Sequence, residues 1–446
     1  MRVLRVYHAG RDPAHRRREA ALVAAGVDVH LVVPSRWSDH GGEATLTETR
    51  FAVTELDVTR PGDVNRHRHA DPVQVRALLD AVKPDVVDLH EEPFSAVARQ
   101  WLDAVPAHLP VVMYTAQNLD KRFPPPFHQY ERAAFQRVDA FYPCSRQAAS
   151  VVRGKGFAGR VDVLPLGVDD GLTPGDQVSD DGSFRLALLG RLVPEKGVRD
   201  AVRVLAAVHA VTPARLALVG TGPELGPALA LAEALGVRDR VDHVGWQPAD
   251  AVADLYRATH VVLVPSTATT TWVEQFGRVV VEAQAAGAVV AGYASGSLPE
   301  VVGRAGVLAP EGDSTALADL VTLLATDRGT WKDLRDDGIA AAATRTWDAV
   351  GRRQAELYAA VRETDHTAGW DTSYAERIRA AAHHAVLLKQ RVLPRGAAAR
   401  RASREAARAE FGAPARTPAG ERPFALPYLR EPNVVSRALA RMLDAF

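Results

Sequence analysis

The feature that most constrains this chain is a rhythm in which short, uninterrupted apolar runs alternate with amphipathic stretches. Met1–Tyr7, Val29–Pro34, Val86–Leu89, Val111–Tyr114 and Val161–Leu164 are β-rich runs, and Arg16–Ala25, Val73–Val82 and Phe94–Val105 lie between them with helical spacing. A strand that is apolar on both faces must be covered on both faces, so the pattern predicts a parallel sheet between two layers of helices. After Gly171–Ser183, a stretch rich in Gly, Pro, Asp and Ser, the rhythm begins again. The second series has strands at Arg185–Leu189, Arg215–Val219, Val241–Val244, Val261–Val264 and Ala288–Ala291. Its helices are Arg199–His209, Pro227–Leu235, Val279–Ala286 and Thr315–Ala325. The expected fold class is therefore α/β, with two Rossmann-like doubly wound domains at 1–170 and 184–345 and a linker at 171–183. A long helix, Trp347–Glu363, is expected within 346–364, followed by a basic extension at 365–446.

Bulk properties narrow the function classes. A chain of 446 residues has room for two or three domains. Zero formal net charge speaks against nucleic acid as a partner of the whole molecule. The single cysteine, Cys144, excludes an internal disulfide framework and fits a reducing compartment. With no charged-then-apolar leader and no long apolar run, a cytoplasmic protein is expected. The extension differs from the body: from Asp371 to Phe446 there are fourteen Arg and Lys against seven Asp and Glu, a balance of +7, so the rest carries −7. Helical stretches at Tyr374–Lys389 and Ala397–Glu410 are interrupted further on by Pro414, Pro418, Pro423, Pro427 and Pro432. A loosely packed extension is the favoured reading. A basic surface for the inner face of a membrane or an acidic partner is the alternative.

Two motifs carry chemistry. Gly190-Arg191-Leu192-Val193-Pro194-Glu195-Lys196-Gly197 joins a strand to a helix, the place where open α/β sheets bind ligands. Its two cations, Arg191 and Lys196, suit a diphosphate whose charge grows as a bond to it breaks. A solvated basic turn is the plain alternative. Farther on, Glu274-Gln275-Phe276-Gly277-Arg278-Val279-Val280-Val281-Glu282 places two carboxylates eight residues apart. On one helix they would stand roughly 80° from each other, so a helix starting near Gly277 is expected, with Glu274 in the loop before it and Glu282 about one turn in. Carboxylates accept well from the vicinal hydroxyls of a sugar or ribose. Acidic residues that merely favour a helix start are the plain alternative.

Together these motifs resemble the retaining glycosyltransferases of family 4, whose GT-B fold sets two Rossmann-like domains across a cleft. The resemblance extends through Gly220-Thr221-Gly222-Pro223-Glu224, Val244-Gly245-Trp246, Pro265-Ser266 and Ser295-Gly296-Ser297-Leu298-Pro299-Glu300. Trp347 and Tyr358 match the closing helix. The resemblance implies a nucleotide-diphosphate sugar as donor and no cofactor, with cations in place of a metal. It implies that Arg191 and Lys196 hold the diphosphate, Glu274 the transferred sugar and Glu282 the ribose. Gly10, Gly222, Trp246, Phe276, Gly277 and Val279 would line the donor. In the first half, Asp88-Leu89-His90-Glu91-Glu92-Pro93 and Tyr114-Thr115-Ala116-Gln117-Asn118 match family positions. They make His90, Glu91, Tyr114, Gln117 and Asn118 candidate contacts to sugar or acceptor. A lone His90 or Tyr114 is as readily structural.

Two departures stand out. Many relatives have a Gly-Gly loop after the first strand, where this chain has His8-Ala9-Gly10-Arg11. Many have a reaction-centre His where this chain has Tyr114, which puts a His-assisted proton relay in question. The resemblance implies sugar transfer to a glycan, lipid or small-molecule hydroxyl in bacterial-type glycoconjugate assembly. Its rivals are a non-catalytic sugar-nucleotide or glycan binder and a GT-B enzyme of another reaction, such as an epimerase. The run Gly220–Gly226 with Asp242 imitates a dinucleotide fingerprint, but on the second strand of its series rather than the first. The triplet Arg16-Arg17-Arg18 reads as a solvent-exposed helix start, with contact to a lipid phosphate or peripheral membrane surface as the alternative.

Overall fold

The computed structural model describes residues 1–39, 42–43, 49–169, 171–175 and 182–363. The expectations for 365–446, including the two helices placed there, lie outside the described residues. Met1–His366 form one compact unit that contains two parallel sheets.

The first sheet has seven strands, in the spatial order Arg160–Val161, Ala140–Pro143, Val111–Thr115, Val86–Leu89, Arg2–Val6, Asp28–Pro34 and Ala52–Leu56. The second has six, in the order Val241–Gly245, Ala214–Val219, Phe184–Leu189, Val261–Val264, Val289–Tyr293 and Gly306–Ala309. Counted along the chain, the second sheet runs 3-2-1-4-5-6, and the first repeats that order with a seventh strand at its edge. This is doubly wound topology, with the chain reversing direction across the sheet beside its first strand. Each sheet is packed on both faces. Leu186, Leu188, Leu216 and Leu218 meet the Val198–His209 helix on one side, while Val262, Val264 and Val290 meet the Arg278–Ala285 helix on the other.

Helix boundaries follow local chemistry. The Asp71 side chain accepts from Val73 N at 2.8 Å ahead of Pro72, and Ser95 and Ser145 each accept from the N–H three residues on. Trp347–Glu363 is helical over the expected range and packs back on the Arg17–Ala24 helix. Its Gly351 lies so near that helix that a Cβ would stand 2.7 Å from the Ala21 backbone.

Some expectations need correcting. Val161–Leu164 is a strand only at its first residue, although Asp162 and Leu164 still donate to the carbonyls of Phe141 and Pro143. Ala52–Leu56 and Gly306–Ala309 are edge strands, half-exposed, without the continuous apolar run that marks the central ones. The basic triplet is not a solvated patch. Arg16 and Arg18 are buried: Arg16 donates to the carbonyls of Gly10 and Arg11, and Arg18 to Gln354 and the Pro165 carbonyl. Arg17 is exposed and pairs with Asp169 at 3.1 Å. A guanidinium with enough donors for several backbone carbonyls can be buried where a lysine could not.

Candidate functional site

The site is built at the carboxyl end of the second sheet. Phe184–Leu189 delivers the chain into the Arg191 turn, and Pro194–Lys196 forms one turn of tight helix. Gly197 then has φ +66°, and a Cβ there would lie 2.1 Å from the Pro265 carbonyl oxygen. Only glycine lets this turn press against the end of the neighbouring strand. The consequence is positional: Lys196 Nζ lies 2.5 Å from Glu274 Oε2 and 5.0 Å from the centre of the Trp272 ring. Ser266 Oγ donates to the same carboxylate oxygen at 3.3 Å. Arg191, on the same turn, is exposed and makes no side-chain hydrogen bond or ion pair with the described residues.

The second motif folds as its residues predicted. Gly277, at φ +79°, opens the Arg278–Ala285 helix, Glu274 stands in the loop before it and Glu282 lies one turn in. Both Glu282 oxygens are engaged, one by the Tyr256 hydroxyl at 2.9 Å and the other by Arg278 at 3.0 Å. Burial, reinforced by the Glu282 carboxylate, pushes the Tyr256 phenol well above its ordinary range, so it stays a donor. Phe276 is buried and Val279 half-buried, while Trp246 is exposed at the rim.

Gly222 serves a neighbouring contact. A Cβ there would be 2.3 Å from the Leu192 carbonyl oxygen, and Glu224 N donates to that oxygen at 2.9 Å. The Gly220–Glu224 loop is thus latched to the Arg191 turn. It follows the second strand of its sheet, and Asp242 faces Arg215 at 2.8 Å, so the dinucleotide imitation has neither the place nor the partner of a true fingerprint.

The first sheet contributes a different chemistry. Gly10 is buried in a short helical turn. His90 is buried, with Nδ1 3.0 Å from the Tyr142 hydroxyl and its ring stacked 4.1 Å from that of Tyr114. Burial, then nearby Arg5 and Arg18, holds the His90 imidazole well below its usual pKa and hence neutral. Glu91 accepts from the His8 N–H and lies 2.8 Å from His8 Nδ1. Burial would raise the Glu91 carboxyl, but His8 outweighs it and holds the group below the ordinary range. Burial likewise lifts the Tyr114 phenol well above its own range. Gln117, with its amide oxygen toward Lys155 at 2.8 Å and its nitrogen toward Glu131 at 3.1 Å, is taken up within the first sheet's side of the molecule.

Asn118 behaves otherwise. Its Nδ2 donates to the Glu274 carbonyl at 2.8 Å, while Lys121 Nζ donates to the Thr271 carbonyl at 2.6 Å. Ser297 Oγ meets Ser145 Oγ at 3.0 Å and Arg146 N donates to Glu300 at 2.8 Å. The structure therefore brings Lys196, Glu274 and Asn118 to one place and leaves Gln117 and Glu91 in contacts of their own. Trp272 and Tyr256 carry no signal in the sequence, and Ser266 is marked there only as part of the Pro265-Ser266 resemblance. The loop Thr267–Trp272 carries no helix or strand period, and only its closing turn, where Trp272 N donates to Thr269 Oγ1 at 3.0 Å, aims the indole at Lys196.

Residues 173–344 match the sequence profile described as glycosyl transferases group 1, and residues 19–172 the one described as glycosyltransferase family 4. The chain belongs to the group 1 glycosyltransferases. Among curated relatives, the D-inositol 3-phosphate glycosyltransferase of Segniliparus rotundus is 36% identical over 210 residues, which cover 43% of this chain and 45% of that protein. The N-acetyl-alpha-D-glucosaminyl L-malate synthase of Bacillus anthracis is 37% identical over 134 residues, covering 30% of this chain and 33% of that one. The matches span about half the length of the curated relatives, or less. Among solved structures, sucrose-phosphate synthase from Thermosynechococcus elongatus superposes with TM-score 0.63 at 20% identity, over 81% of this chain and 99% of that one. Anabaena HepE in complex with UDP gives 0.64 at 20% identity, over 81% and 100%. These likenesses establish the GT-B fold for this group 1 member. Among its described residues, no helix is long and apolar enough to cross a membrane.

Proposed function

We propose that this group 1 glycosyltransferase moves a sugar from a nucleotide-diphosphate sugar to an acceptor hydroxyl, with retention of configuration. The observation that carries this reading is the Lys196–Glu274 pair at 2.5 Å, which sets an ammonium beside a carboxylate at the mouth of the second sheet. In this reading Lys196 and Arg191 hold the diphosphate, while Glu274 and the backbone at Phe276, Gly277 and Val279 hold the transferred sugar. Glu282, oriented by Tyr256, holds the ribose, and Trp246 borders the base. Residues 184–345 then form the donor domain and 1–170 the acceptor side, where Tyr114 and His90 offer polar edges to the incoming hydroxyl. Gly222 keeps the donor turn in place by backbone contact, and Gly10 shapes the facing turn.

Before donor binding, Lys196 and Glu274 neutralise each other. On binding, the ammonium turns to the diphosphate and the carboxylate to the sugar hydroxyls, so neither charge is buried alone. In the transfer step the bond from the anomeric carbon to the phosphate oxygen breaks, and the bond to the acceptor oxygen forms on the same face. The acceptor proton passes to the departing phosphate oxygen. The main catalytic contribution is electrostatic: fixed cations meet charge that grows on the leaving group. The named activities of the two relatives, on an inositol phosphate and on malate, favour a small polar acceptor.

The test is a panel of UDP-, GDP- and ADP-sugars, each incubated with the protein, with and without polyol and hydroxy-acid acceptors, and read by mass and by anomeric NMR. Donor-dependent glycoside with the donor's anomeric configuration is expected. Tight nucleotide-sugar binding without turnover would move the reading to a non-catalytic binder. Donor isomerisation without acceptor would move it to an epimerase.

A further inference from the structure

One cluster in the first sheet has no part in the proposed transfer. The Arg2–Val6 and Val86–Leu89 strands are neighbours and end side by side, Val6 opposite Leu89. His8 leaves the first and Glu91 the second, so both emerge from the same edge. His8 N donates to Glu91 Oε1 at 2.8 Å, and His8 Nδ1 lies 2.9 and 2.8 Å from the two carboxylate oxygens. His67 reaches the same place from a separate loop. It is buried, and its Nδ1 lies 3.0 Å from the Asp63 carbonyl oxygen. A carbonyl accepts only, so Nδ1 carries the proton and Nε2 keeps its lone pair. One ligand atom from each of His8, His67 and Glu91 lies within 4.8 Å of the others. The Trp37 ring walls the cluster, 4.7 Å from the His8 ring and 4.8 Å from that of His67.

We propose that His8, His67 and Glu91 bind one divalent transition ion of the zinc class. Two imidazoles and a carboxylate form the donor set of a borderline ion; magnesium and calcium prefer oxygen throughout. His67 already has the arrangement that fixes a ligating histidine, with its second nitrogen donating to a backbone carbonyl. Ligation through Nδ1 takes the neutral His8 ring in the tautomer whose single proton sits on Nε2, so the ring changes tautomer and no proton is lost. Metal–ligand bonds of about 2.0–2.2 Å place tetrahedral neighbours about 3.4 Å apart. The His8–Glu91 contact therefore opens slightly, and the widest pair closes by about 1.4 Å. His8, whose side chain is 17% exposed, has the freedom to make that adjustment. Three protein ligands leave a fourth position for water or an oxygen of a bound molecule at the carboxyl edge of the first sheet. The site is separate from the diphosphate turn, and the proposal does not depend on the sugar-transfer reading.

The test uses the full chain, stripped with chelator, dialysed at pH 7.5 and titrated with Zn²⁺ by calorimetry, with bound metal counted by mass spectrometry. One ion per chain is expected, with Kd below micromolar and a raised melting temperature. Co²⁺ in its place is expected to show the visible bands of a four-coordinate nitrogen and oxygen site. His67→Gln and Glu91→Gln should each weaken uptake at least tenfold while leaving the far-ultraviolet circular dichroism unchanged. A His383→Gln/His384→Gln variant, which removes the paired histidines near the far end of the sequence, should bind as the parent does. If the parent takes up no stoichiometric ion, or the His67 and Glu91 variants bind as well as it does, the proposal falls. Should either variant fail to fold, the Co²⁺ spectrum of the parent decides alone, and its absence is equally fatal.

Discussion

The two sheets share a topology, yet their carboxyl edges are furnished in different ways. At the second sheet, the working side chains come from loops directly after strands and meet across short distances near solvent, as Lys196 and Glu274 do. At the first sheet, polar groups are drawn inward into one buried network. Arg5 pairs with Glu19 and Asp88, and Asp88 also receives the hydroxyls of Tyr142 and Tyr358 and the Gln354 amide. Tyr142 in turn meets His90. Tyr358 and Asp88 are 270 residues apart in the chain. In the proposed reaction the second edge exchanges partners when a ligand arrives, whereas the Asp88 network of the first sheet is buried among its own partners. That division fits the proposed transfer, in which the donor enters and leaves at the second sheet.

The comparison is sharpest where one substitution should unfold and another should only disable. Asp88→Ala leaves the buried Arg5 with Glu19 as its remaining carboxylate and removes the acceptor of Tyr142, Tyr358 and Gln354, and a loss of about 3–5 kcal/mol of unfolding free energy is expected in urea titrations. Lys196→Ala should instead lower the transfer rate by about 10²–10³-fold. Its effect on unfolding free energy should be smaller than that of Asp88→Ala, because Lys196 is 21% exposed and Glu274 keeps Ser266 as a donor. Equal stability losses in the two variants would erase the distinction drawn here. A near-parental rate in Lys196→Ala would remove that residue from the mechanism.

A smaller effect tests whether the second sheet also has a buried, rigid side. His260 is buried, and burial, with Arg328 and Arg185 adding to it, lowers its pKa to about 4. Its Nδ1 accepts from Arg185 N at 3.1 Å, which only the unprotonated nitrogen can do. The folded state disfavours the charged form, so this stabilisation is complete above about pH 6.5 and is lost as pH falls toward 4. Melting temperature recorded over that interval should decline, and the decline should flatten in His260→Gln. An unchanged slope would assign the acid sensitivity to other groups.

The mildest prediction concerns Trp272. Its ring over the Lys196 ammonium is a contact worth about 0.5–1 kcal/mol, so Trp272→Leu should weaken donor binding by about two- to fivefold. The same variant should lose the fluorescence change that donor binding produces in the parent. If that change persists undiminished, Trp272 does not border the donor.

The two motifs of the second half were largely legible in the chain because their geometry is local. Gly190–Gly197 and Glu274–Glu282 each bring strand end, turn, glycine and helix start into one short segment, and the fold displays them as spaced. The misreadings were of residues whose partners are remote. Arg16 and Arg18 looked like surface charge because their satisfaction comes from turn carbonyls and from Gln354 on the last described helix. Gln117 and Asn118 are adjacent and chemically alike, yet one turns to Lys155 and Glu131 and the other to the Glu274 carbonyl. Side-chain type alone does not predict that divergence. The edge strand Ala52–Leu56 escaped notice because one face meets solvent and its apolar run is broken.

Sequence by itself determined the α/β layering, the restart of the pattern near residue 184 and the charged turns that follow particular strands. These depend on apolar periodicity and on backbone conformations that only glycine adopts, both of which are properties of neighbours in the chain. Tertiary structure alone decided that Lys196 meets Glu274, that the Trp272 ring lies beside the Lys196 ammonium, and that His8, His67 and Glu91 share one corner. Distances between side chains many residues apart depend on how the sheets and helices pack, and packing is settled by the whole folded unit.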